Sequence, residues 1–358
     1  MTAKLVRIAG VTANCLWLAA ALSGQAAPAP VSGEVLTAMA VRESSGAPAF
    51  LNQEGHSPVL LVLNKSDNAL AIIDPHTLKV LGTVPTGTAP HEVAASADGR
   101  LAFVCNYGTG PAPGNTISII DIGARKELMR LDLGPLVRPH GITEAGGKIY
   151  FTIEGSRAVA RIDPGTRRID WIMGTGQDGT HMVVVTPDNS KLYTANIAAG
   201  TVTMIRLAPV QGADSITQIP VGKGSEAIDM SPDGREVWIA HRSDSGMSVI
   251  DTATDKVKAI FQTAKSPFRV KFTPDGRRVL VSDPMTGEII VYDASLHQET
   301  RRIKIGGAPV GILIQPDGTR AYIAETQANK VAVLDLSSME VISTIEPGRE
   351  PDGMAWAR

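Results

Sequence analysis

Three of the seven histidines stand at the same place in a repeated pattern. His91, His140 and His181 each follow a proline or threonine that ends a turn, and Glu226 takes this place in the next unit. Three imidazoles and a carboxylate suit a divalent transition metal such as Zn, Cu, Fe or Ni. A three-histidine site with one open coordination position is also a catalytic arrangement. These four residues are therefore predicted as metal ligands.

The same four positions allow two other interpretations. Polar side chains can line a water-filled channel mouth by bonding loop carbonyls, or they can bind a substrate directly. No short local motif demands a metal here, because only the repeat would bring the four residues together. Metal binding, polar lining and substrate binding all stay open on the sequence alone.

The repeat that must position these residues spans most of the chain. Its anchors are separated by 49, 41, 45, 42, 42 and 42 residues. Each unit contains four short runs rich in β-branched residues, with turn residues between them, which is typical of a β-propeller. The anchors are Pro90, Pro139, Thr180, Ser225, Pro267, Pro309 and Pro351. The residues after them should begin the innermost strands, at the mouth of the central channel: His91, His140, His181, Glu226, Phe268, Val310 and Asp352.

The two ends of the repeat are complementary. The last unit stops after its first strand, at residues 354–358, whereas residues 59–87 supply only a second, third and fourth strand. Joined, the ends complete one blade, which hides the edges that an open array would expose. The chain is therefore predicted to be an all-β, seven-bladed propeller of four-stranded blades over residues 57–358, with no second domain.

Several runs carry a familiar repeat: YTAN followed by TVTMI, VLN followed by ALAIID, and the turns SPDGR and TPDGR. Across essentially the whole predicted mature chain, these units resemble the YVTN β-propeller repeats of the YncE-like family, which are WD40-like in architecture. The pattern departs at Ile153, His241, Asp283 and Glu325, where the family's repeat usually has Asn. The resemblance implies a propeller used mostly for binding and scaffolding, with scattered enzymes.

A second group of candidates lies at the ends of the second strands. Asn recurs there, and its side chain is expected to hydrogen-bond the backbone of the turn. Glu154, His241 and Glu325 break that pattern, and we expect them to reach the channel mouth. In an enzyme, Glu154 and Glu325 would be the proton carriers.

Further ligand-binding residues are predicted around the mouth. Tyr107 opens the longest insertion, YGTGPAPGN, which is placed to act as a lid or partner surface. Arg138, Arg269 and Lys223 add positive charge that would suit an anionic ligand. Together with His241, the residues Tyr107, Arg138 and Arg269 are the predicted ligand contacts.

Six aspartates at one repeat position look like a second metal belt, but a structural role is the better interpretation. Asx side chains bond the backbone of their own turn, and this position is far from the propeller axis. We therefore expect turn-forming carboxylates at Asp74, Asp121, Asp163, Asp251, Asp293 and Asp335.

Charge and the N-terminal pattern limit the partners and the location. The net charge of -2 and the lack of any basic run argue against nucleic-acid binding. Residues 1–26 have the pattern of a signal peptide, with Lys4 and Arg7 before a stretch too short to span a bilayer. Residues 27–56 look like a linker or surface segment. Cys105, inside an apolar run, is expected to be a buried and inert thiol.

The first functional hypothesis is therefore a monomeric periplasmic or secreted propeller. It would bind an unidentified ligand or protein through its channel-mouth face, with no nucleic acid and no membrane span. The alternative is a metal-dependent enzyme, a lactonase-like hydrolase or a lyase, which uses the His/Glu site. The sequence leaves open whether the protein is an enzyme.

Overall fold

The computed structural model describes residues 57–208 and 212–358. The predicted signal peptide (1–26) and the predicted linker (27–56) lie outside these residues. Within them the chain forms 28 strands and two short 3-10 turns, at Glu154–Ser156 and Thr326–Ala328. No helix in the described ranges is long and apolar enough to cross a membrane.

The strands form seven four-stranded antiparallel sheets, each a blade. Blade 1 has β4 (Pro90–Ala95), β5 (Leu101–Gly108), β6 (Pro113–Asp121) and β7 (Lys126–Asp132). Blade 2 has β8 (Pro139–Ala145), β9 (Lys148–Ile153), β10 (Ala158–Asp163) and β11 (Arg168–Gly174). Blade 3 has β12 (Thr180–Val185), β13 (Lys191–Asn196), β14 (Thr201–Arg206) and β15 (Ser215–Pro220).

The remaining blades repeat this order. Blade 4 has β16 (Ser225–Met230), β17 (Glu236–His241), β18 (Gly246–Asp251) and β19 (Lys256–Gln262). Blade 5 has β20 (Val270–Phe272), β21 (Arg278–Asp283), β22 (Glu288–Asp293) and β23 (Gln298–Lys304). Blade 6 has β24 (Pro309–Ile314), β25 (Arg320–Glu325), β26 (Lys330–Asp335) and β27 (Glu340–Ile345). Blade 7 has β28 (Pro351–Ala357), β1 (Val59–Asn64), β2 (Ala69–Ile73) and β3 (Val80–Pro85).

The two ends of the repeat share blade 7, which confirms the predicted closure. Strand β28 pairs antiparallel with β1, and Val62 lies opposite Met354. Because β28 is the innermost strand of its blade, it also packs against β4 of blade 1 and β24 of blade 6. The last strand thus completes the ring, so no inner strand is left as an open edge.

The hydrophobic core is divided among the interfaces between blades. Seven clusters of buried apolar side chains are found in the described residues, and each spans two neighbouring blades. The central strands are buried almost continuously, since both of their faces touch another blade. The outermost strands of blades 1, 2 and 4 alternate between exposed and partly buried residues, as expected for a sheet edge.

The aspartate belt is structural, as predicted. In each of these turns a carboxylate oxygen accepts a backbone N–H two or three residues further on, at 2.7 to 2.9 Å. Asp163 shows the consequence, because Lys148 and the turn N–H of Thr166 lower its pKa to about 2. The six residues are Asp74, Asp121, Asp163, Asp251, Asp293 and Asp335.

Cys105 is fully buried in β5, as predicted, and has no disulfide partner in the described ranges. Burial raises the pKa of its thiol well above the usual range. The thiolate is therefore strongly disfavoured, and the side chain is an inert part of the core between blades 1 and 2.

Candidate functional site

The inner strands surround a cavity of about 300 Å³ at one mouth of the central channel. All seven residues that follow the anchors line it, as the repeat predicts. The chemical asymmetry is also as expected, because blades 1 to 4 contribute three histidines and Glu226, whereas blades 5 and 6 contribute Phe268 and Val310. The seven are His91, His140, His181, Glu226, Phe268, Val310 and Asp352.

A bulge follows the anchor in six of the seven blades. In blade 1, for example, Pro90 pairs with Asn106 but the next paired residue is Val93. A bulge leaves a residue without a ladder partner and redirects its side chain. In blades 1 and 3 two consecutive residues therefore line the channel, such as His91 with Glu92, where a regular strand would turn the second away. Blade 5 also lines the channel with two consecutive residues, Phe268 and Arg269, which precede its first regular strand.

A second set of lining residues comes from five blades, at the position just after the second-strand residue that pairs with the repeat anchor. Tyr107 and Glu154 were identified from the sequence, but three residues at the same repeat position were missed. The pairing register provides the signal: the last paired residue turns into its blade, and the next one turns toward the channel. The full set is Lys65, Tyr107, Glu154, Ile197 and Arg242.

The same register explains why His241 does not line this cavity. It is the last residue of β17 and is only 1 % exposed. Its Nε2 lies 2.8 Å from the hydroxyl of Ser248 and 3.4 Å from the amide N–H of Gly222. In blade 1, Asn106 binds Ser118 and the N–H of Gly87 in the same way. His241 thus replaces the structural Asn of the repeat.

Glu325 also lies outside the cavity lining. It ends β25, opposite Pro309, and is 7 % exposed. Its carboxylate fills the space beside Gly307, where a Cβ would approach Glu325 Oε2 to 2.4 Å. Burial raises the pKa of Glu325, and Lys330 opposes this effect. The geometry therefore gives Glu325 no contact with the mouth.

The three predicted histidines are packed together. The ring of His140 stacks on that of His181 with centroids 3.8 Å apart, and it lies 5.2 Å from the ring of His91. Tyr107 covers the group from the side, 4.5 Å from His91 and 5.2 Å from His140. The repeat thus brings side chains from three blades into one contact group.

Two carboxylates hold His181 from opposite sides. Its Nδ1 lies 2.7 Å from Glu154 Oε2, and its Nε2 lies 3.2 Å from Glu226 Oε1. Burial opposes a charge on His181, but Glu226 and Glu154 outweigh it and raise the pKa to about 9. The hydroxyl of Tyr107 donates to Glu154 Oε1 at 2.7 Å, so both oxygens of Glu154 are engaged.

Unlike His181, His140 and His91 have lowered pKa values, which favour the neutral imidazole. Burial, together with the charge of His181, holds the pKa of His140 well below its usual range. The Nδ1 of His140 is buried and has no hydrogen-bond partner in the described part of the chain. Burial also lowers the pKa of His91, whose Nδ1 lies 2.8 Å from the carbonyl of Ala89. A neutral His91 that donates there keeps its lone pair on Nε2.

The side chains of His140, Glu154 and His181 form a group that could hold a metal ion. One ligand atom of each lies within 4.8 Å of the others. Ligands bound at about 2.0–2.2 Å from one ion lie closer together than this, so small side-chain rotations must bring the atoms inward. Of the four predicted ligands, His140 and His181 are in this group, whereas His91 and Glu226 lie beside it. Glu154, predicted as a proton carrier, supplies the carboxylate instead.

Charge in the cavity lining is uneven. Three cations face four carboxylates, and each cation is within ion-pair reach of one: Lys65 with Asp352 at 3.2 Å, Arg242 with Glu226 at 2.9 Å, and Arg269 with Glu92. The Arg242 contact lacks hydrogen-bond alignment, because Glu226 Oε2 makes no hydrogen bond. Glu154 is the remaining carboxylate, so with neutral imidazoles the lining has a net charge of -1.

The other predicted ligand contacts differ in position. Arg269 lines the cavity, but Arg138 does not. The guanidinium of Arg138 lies 5.0 Å from the ring centroid of Tyr107 and donates to the carbonyls of Thr109 and Gly110. Arg138 therefore fastens the β5–β6 hairpin over Tyr107. Lys223 is outside the lining as well.

Comparison with known proteins identifies the fold alone. No family model matches this chain, and no curated protein sequence does. Many solved structures match in shape. One is hydrazine synthase from Kuenenia stuttgartiensis, with 19% identity and a TM-score of 0.69 over 80% of this chain and 94% of that chain.

Two further structural neighbours have different descriptions. A functionally unknown protein from Desulfotomaculum acetoxidans matches with 13% identity and a TM-score of 0.70 over 84% of this chain and 99% of that chain. The dihydro-heme d1 dehydrogenase NirN, solved in complex with DHE, matches with 15% identity and a TM-score of 0.57 over 83% of this chain and 74% of that chain. At these identities one shared fold carries different functions.

Proposed function

We propose that this protein is a ligand-binding propeller with one divalent transition metal at its channel mouth. His140, His181 and Glu154 hold the ion, and His91 is the nearest further nitrogen ligand. Two imidazoles and a carboxylate, with a third imidazole in reach, suit Zn, Fe, Cu or Ni better than Ca or Mg.

The observation that carries this proposal is the buried Nδ1 of His140, which has no hydrogen-bond partner among the described residues. A buried polar atom without a hydrogen-bond partner costs roughly 1–3 kcal/mol, so proteins seldom keep one without a use. The Nδ1 of His140 is such an atom, and His140 belongs to the compact group with His181 and Glu154. The charge of the lining supports the same conclusion, because with neutral imidazoles it is -1, so a bound cation can take over the role of the proton on His181.

The hydrogen bonds of the surrounding residues support a metal site. Ligand histidines commonly donate their second nitrogen to a carbonyl or carboxylate, which fixes the ring. His91 makes such a bond with Ala89, and His181 lies between two carboxylates, one of which can remain its partner. Tyr107 orients Glu154. A bound ion would supply Lewis acidity toward an oxygen of a ligand in the cavity.

A metal titration tests this proposal. The protein is freed of metal with a chelator and titrated with Zn²⁺ against a chromophoric competitor. We expect one equivalent to bind, with affinity reduced at least 100-fold in His140→Ala and less in His91→Ala. His76→Ala, at an exposed turn, is the matched control and should bind like the parent. A parent protein that binds no stoichiometric Zn²⁺, Co²⁺ or Cu²⁺ would refute the proposal.

Metal-dependent hydrolysis or elimination, by a lactonase-like hydrolase or a lyase, is the second candidate. Glu226 favours it, because this buried carboxylate lies in the cavity beside His181 and its Oε2 makes no hydrogen bond. Such a group can move a proton to or from a bound substrate. Screening the metal-loaded protein with lactones tests this candidate, and Glu226→Gln should abolish turnover while Zn²⁺ stays bound.

We further propose that the chain belongs among the YVTN-repeat propellers and is exported to the periplasm or secreted as a monomer. The repeat residues and the pattern of residues 1–26 support this proposal. Protein or small-molecule ligands would bind at the mouth, without nucleic acid. Fractionation of cells that express the full chain, followed by mass spectrometry of the N-terminus, tests the export. A cytoplasmic protein that keeps residues 1–26 would contradict it.

A further inference from the structure

The floor of the mouth cavity is a layer of three side chains that meet across the channel. Glu92, Met182 and Arg269 come from blades 1, 3 and 5 and stand two residues after the repeat anchors. The other four blades have small residues at this position: Gly141, Ala227, Gly311 and Gly353. A Cβ on each of these glycines would come within 2.4 Å of a neighbouring backbone oxygen. The floor is thus built from three blades only.

An ion pair holds this floor together. Arg269 Nη2 donates to Glu92 Oε1, and Nη1 lies 3.6 Å from the sulfur of Met182. Blades 1 and 5 are not neighbours, so the pair crosses the channel instead of joining adjacent strands. Beneath it lies a smaller cavity of about 120 Å³, which has the same three residues in its lining.

Arg269 has N–H donors that its contacts with Glu92 and Met182 leave unpaired. The residue is only 7 % exposed, and its Nε–H has no hydrogen-bond partner in the described residues. A guanidinium carries five N–H donors in a fixed plane that matches a carboxylate. Of these, Glu92 takes one strong bond and the thioether of Met182 is a weak acceptor. A buried, unsatisfied charged donor in a cavity wall points to an acceptor that arrives with a ligand.

The charge balance indicates the class of that ligand. The lining has a net charge of -1 with neutral imidazoles, so a divalent ion at the proposed site brings it to about +1. One monoanion restores neutrality. Away from the histidines of blades 1 to 3, Phe268 of blade 5 and Val310 of blade 6 give the cavity an apolar side. A volume of about 300 Å³ is at the small end of ligand pockets.

We infer that Arg269 is the anion-binding residue of this site and that the ligand is a small monocarboxylate with an apolar body. Its carboxylate would bind the guanidinium of Arg269 at the cavity floor, where a small rotation of the side chain brings the buried Nε–H to the cavity surface. Its apolar part would lie against Phe268 and Val310, with a polar group toward the metal. This inference rests on the proposed metal site for its charge balance, although the Arg269 contact itself needs no metal.

Titration calorimetry with benzoate and benzamide tests this inference. The two probes have nearly the same shape, but only benzoate is an anion. We expect the Zn²⁺-loaded parent to bind benzoate at least tenfold more tightly than benzamide. In Glu92→Gln/Arg269→Gln, a neutral amide pair replaces the ion pair without a change in total charge. That variant should lose at least tenfold in benzoate affinity and keep its Zn²⁺ affinity within threefold.

The matched control is Asp229→Asn/Lys271→Gln, which neutralises an ion pair that lines the lower cavity. It should bind benzoate like the parent. Equal affinity for benzoate and benzamide, or full benzoate affinity in the floor variant, overturns the inference while the metal site stands. If the parent binds no metal, the metal-free protein is titrated instead. Benzoate binding that depends on Arg269 then supports the anion site alone, and no binding overturns it.

Discussion

The imidazole of His140 stacks on that of His181, with ring centroids 3.8 Å apart and the planes inclined by 29°. Two carboxylates raise the pKa of His181 to about 9, so it is protonated at neutral pH in the metal-free protein. Burial beside this cation keeps His140 neutral. A neutral and a charged imidazole are therefore in van der Waals contact, and only the charged one has its hydrogen bonds satisfied.

This arrangement predicts that replacing His140 with an apolar ring makes the metal-free protein more stable but removes metal binding. His140→Phe keeps an aromatic ring on His181 and removes the unsatisfied nitrogen, and the cavity leaves room for the larger ring. We expect the metal-free variant to unfold with a free energy about 1 kcal/mol higher than the parent. Added Zn²⁺ should stabilise the parent in urea titrations but not the variant. Lower stability of the variant without metal would show that His140 makes a favourable polar contact.

Tyr107 is predicted to act through Glu154. Burial and Glu154 raise the pKa of Tyr107 to about 12, so its hydroxyl stays protonated and donates. Tyr107→Phe removes that bond and should reduce Zn²⁺ affinity about 10-fold or more, as is typical of residues that orient a ligand. Tyr193→Phe is the matched control, because the hydroxyl of Tyr193 binds Asp255 away from the cavity. Competition titrations of both variants measure the difference, and equal affinities would contradict the role.

His241 is predicted to make the fold sensitive to acid. Burial lowers its pKa to about 4 from an ordinary value of 6.5. The unfolded chain therefore takes up a proton near pH 6.5 that the folded chain refuses until about pH 4. Stability is complete above pH 6.5 and falls as the pH drops through this window, by about 2 kcal/mol between pH 8 and pH 5. Urea unfolding at both pH values should show this loss.

The variant His241→Asn isolates this effect. Asn is the residue of the repeat at this position in blades 1, 3 and 7, where Asn106, Asn196 and Asn64 pair with the repeat anchor as His241 does. The variant should fold normally and lose about 2 kcal/mol less than the parent between pH 8 and pH 5. The same pH dependence in parent and variant would place the acid sensitivity elsewhere.

Glu325 gives a prediction of opposite sign. Burial raises the pKa of its carboxyl group, so the folded state is destabilised by the charge above the ordinary value of 4.5. Glu325→Gln should therefore raise the free energy of unfolding at pH 7, with the gain disappearing below pH 4.5. Glu340→Gln, exposed in the same blade, is the control. A large loss of Zn²⁺ or ligand binding in Glu325→Gln would instead show that Glu325 contributes to the site.

The propeller, its seven blades and its shared closing blade can all be predicted from the sequence alone. Strand runs, turn residues and inter-blade contacts all recur with the repeat, so each unit specifies nearly the same local structure and the number of units sets the ring. The repeat also placed His91, His140 and His181 at one mouth, because equivalent residues of a ring lie at equivalent positions. These predictions needed only local pattern and symmetry.

Which side chains face the mouth cavity, and which contacts they make there, depends on the tertiary structure. Whether a side chain at the end of a second strand enters the channel depends on register to a single residue, so His241 and Glu325 turn into their blades while Glu154 faces the cavity. The contact between Arg269 and Glu92 joins residues 177 positions apart across the axis. No local pattern encodes such a contact, because it depends on the bulges and on the width of the closed ring.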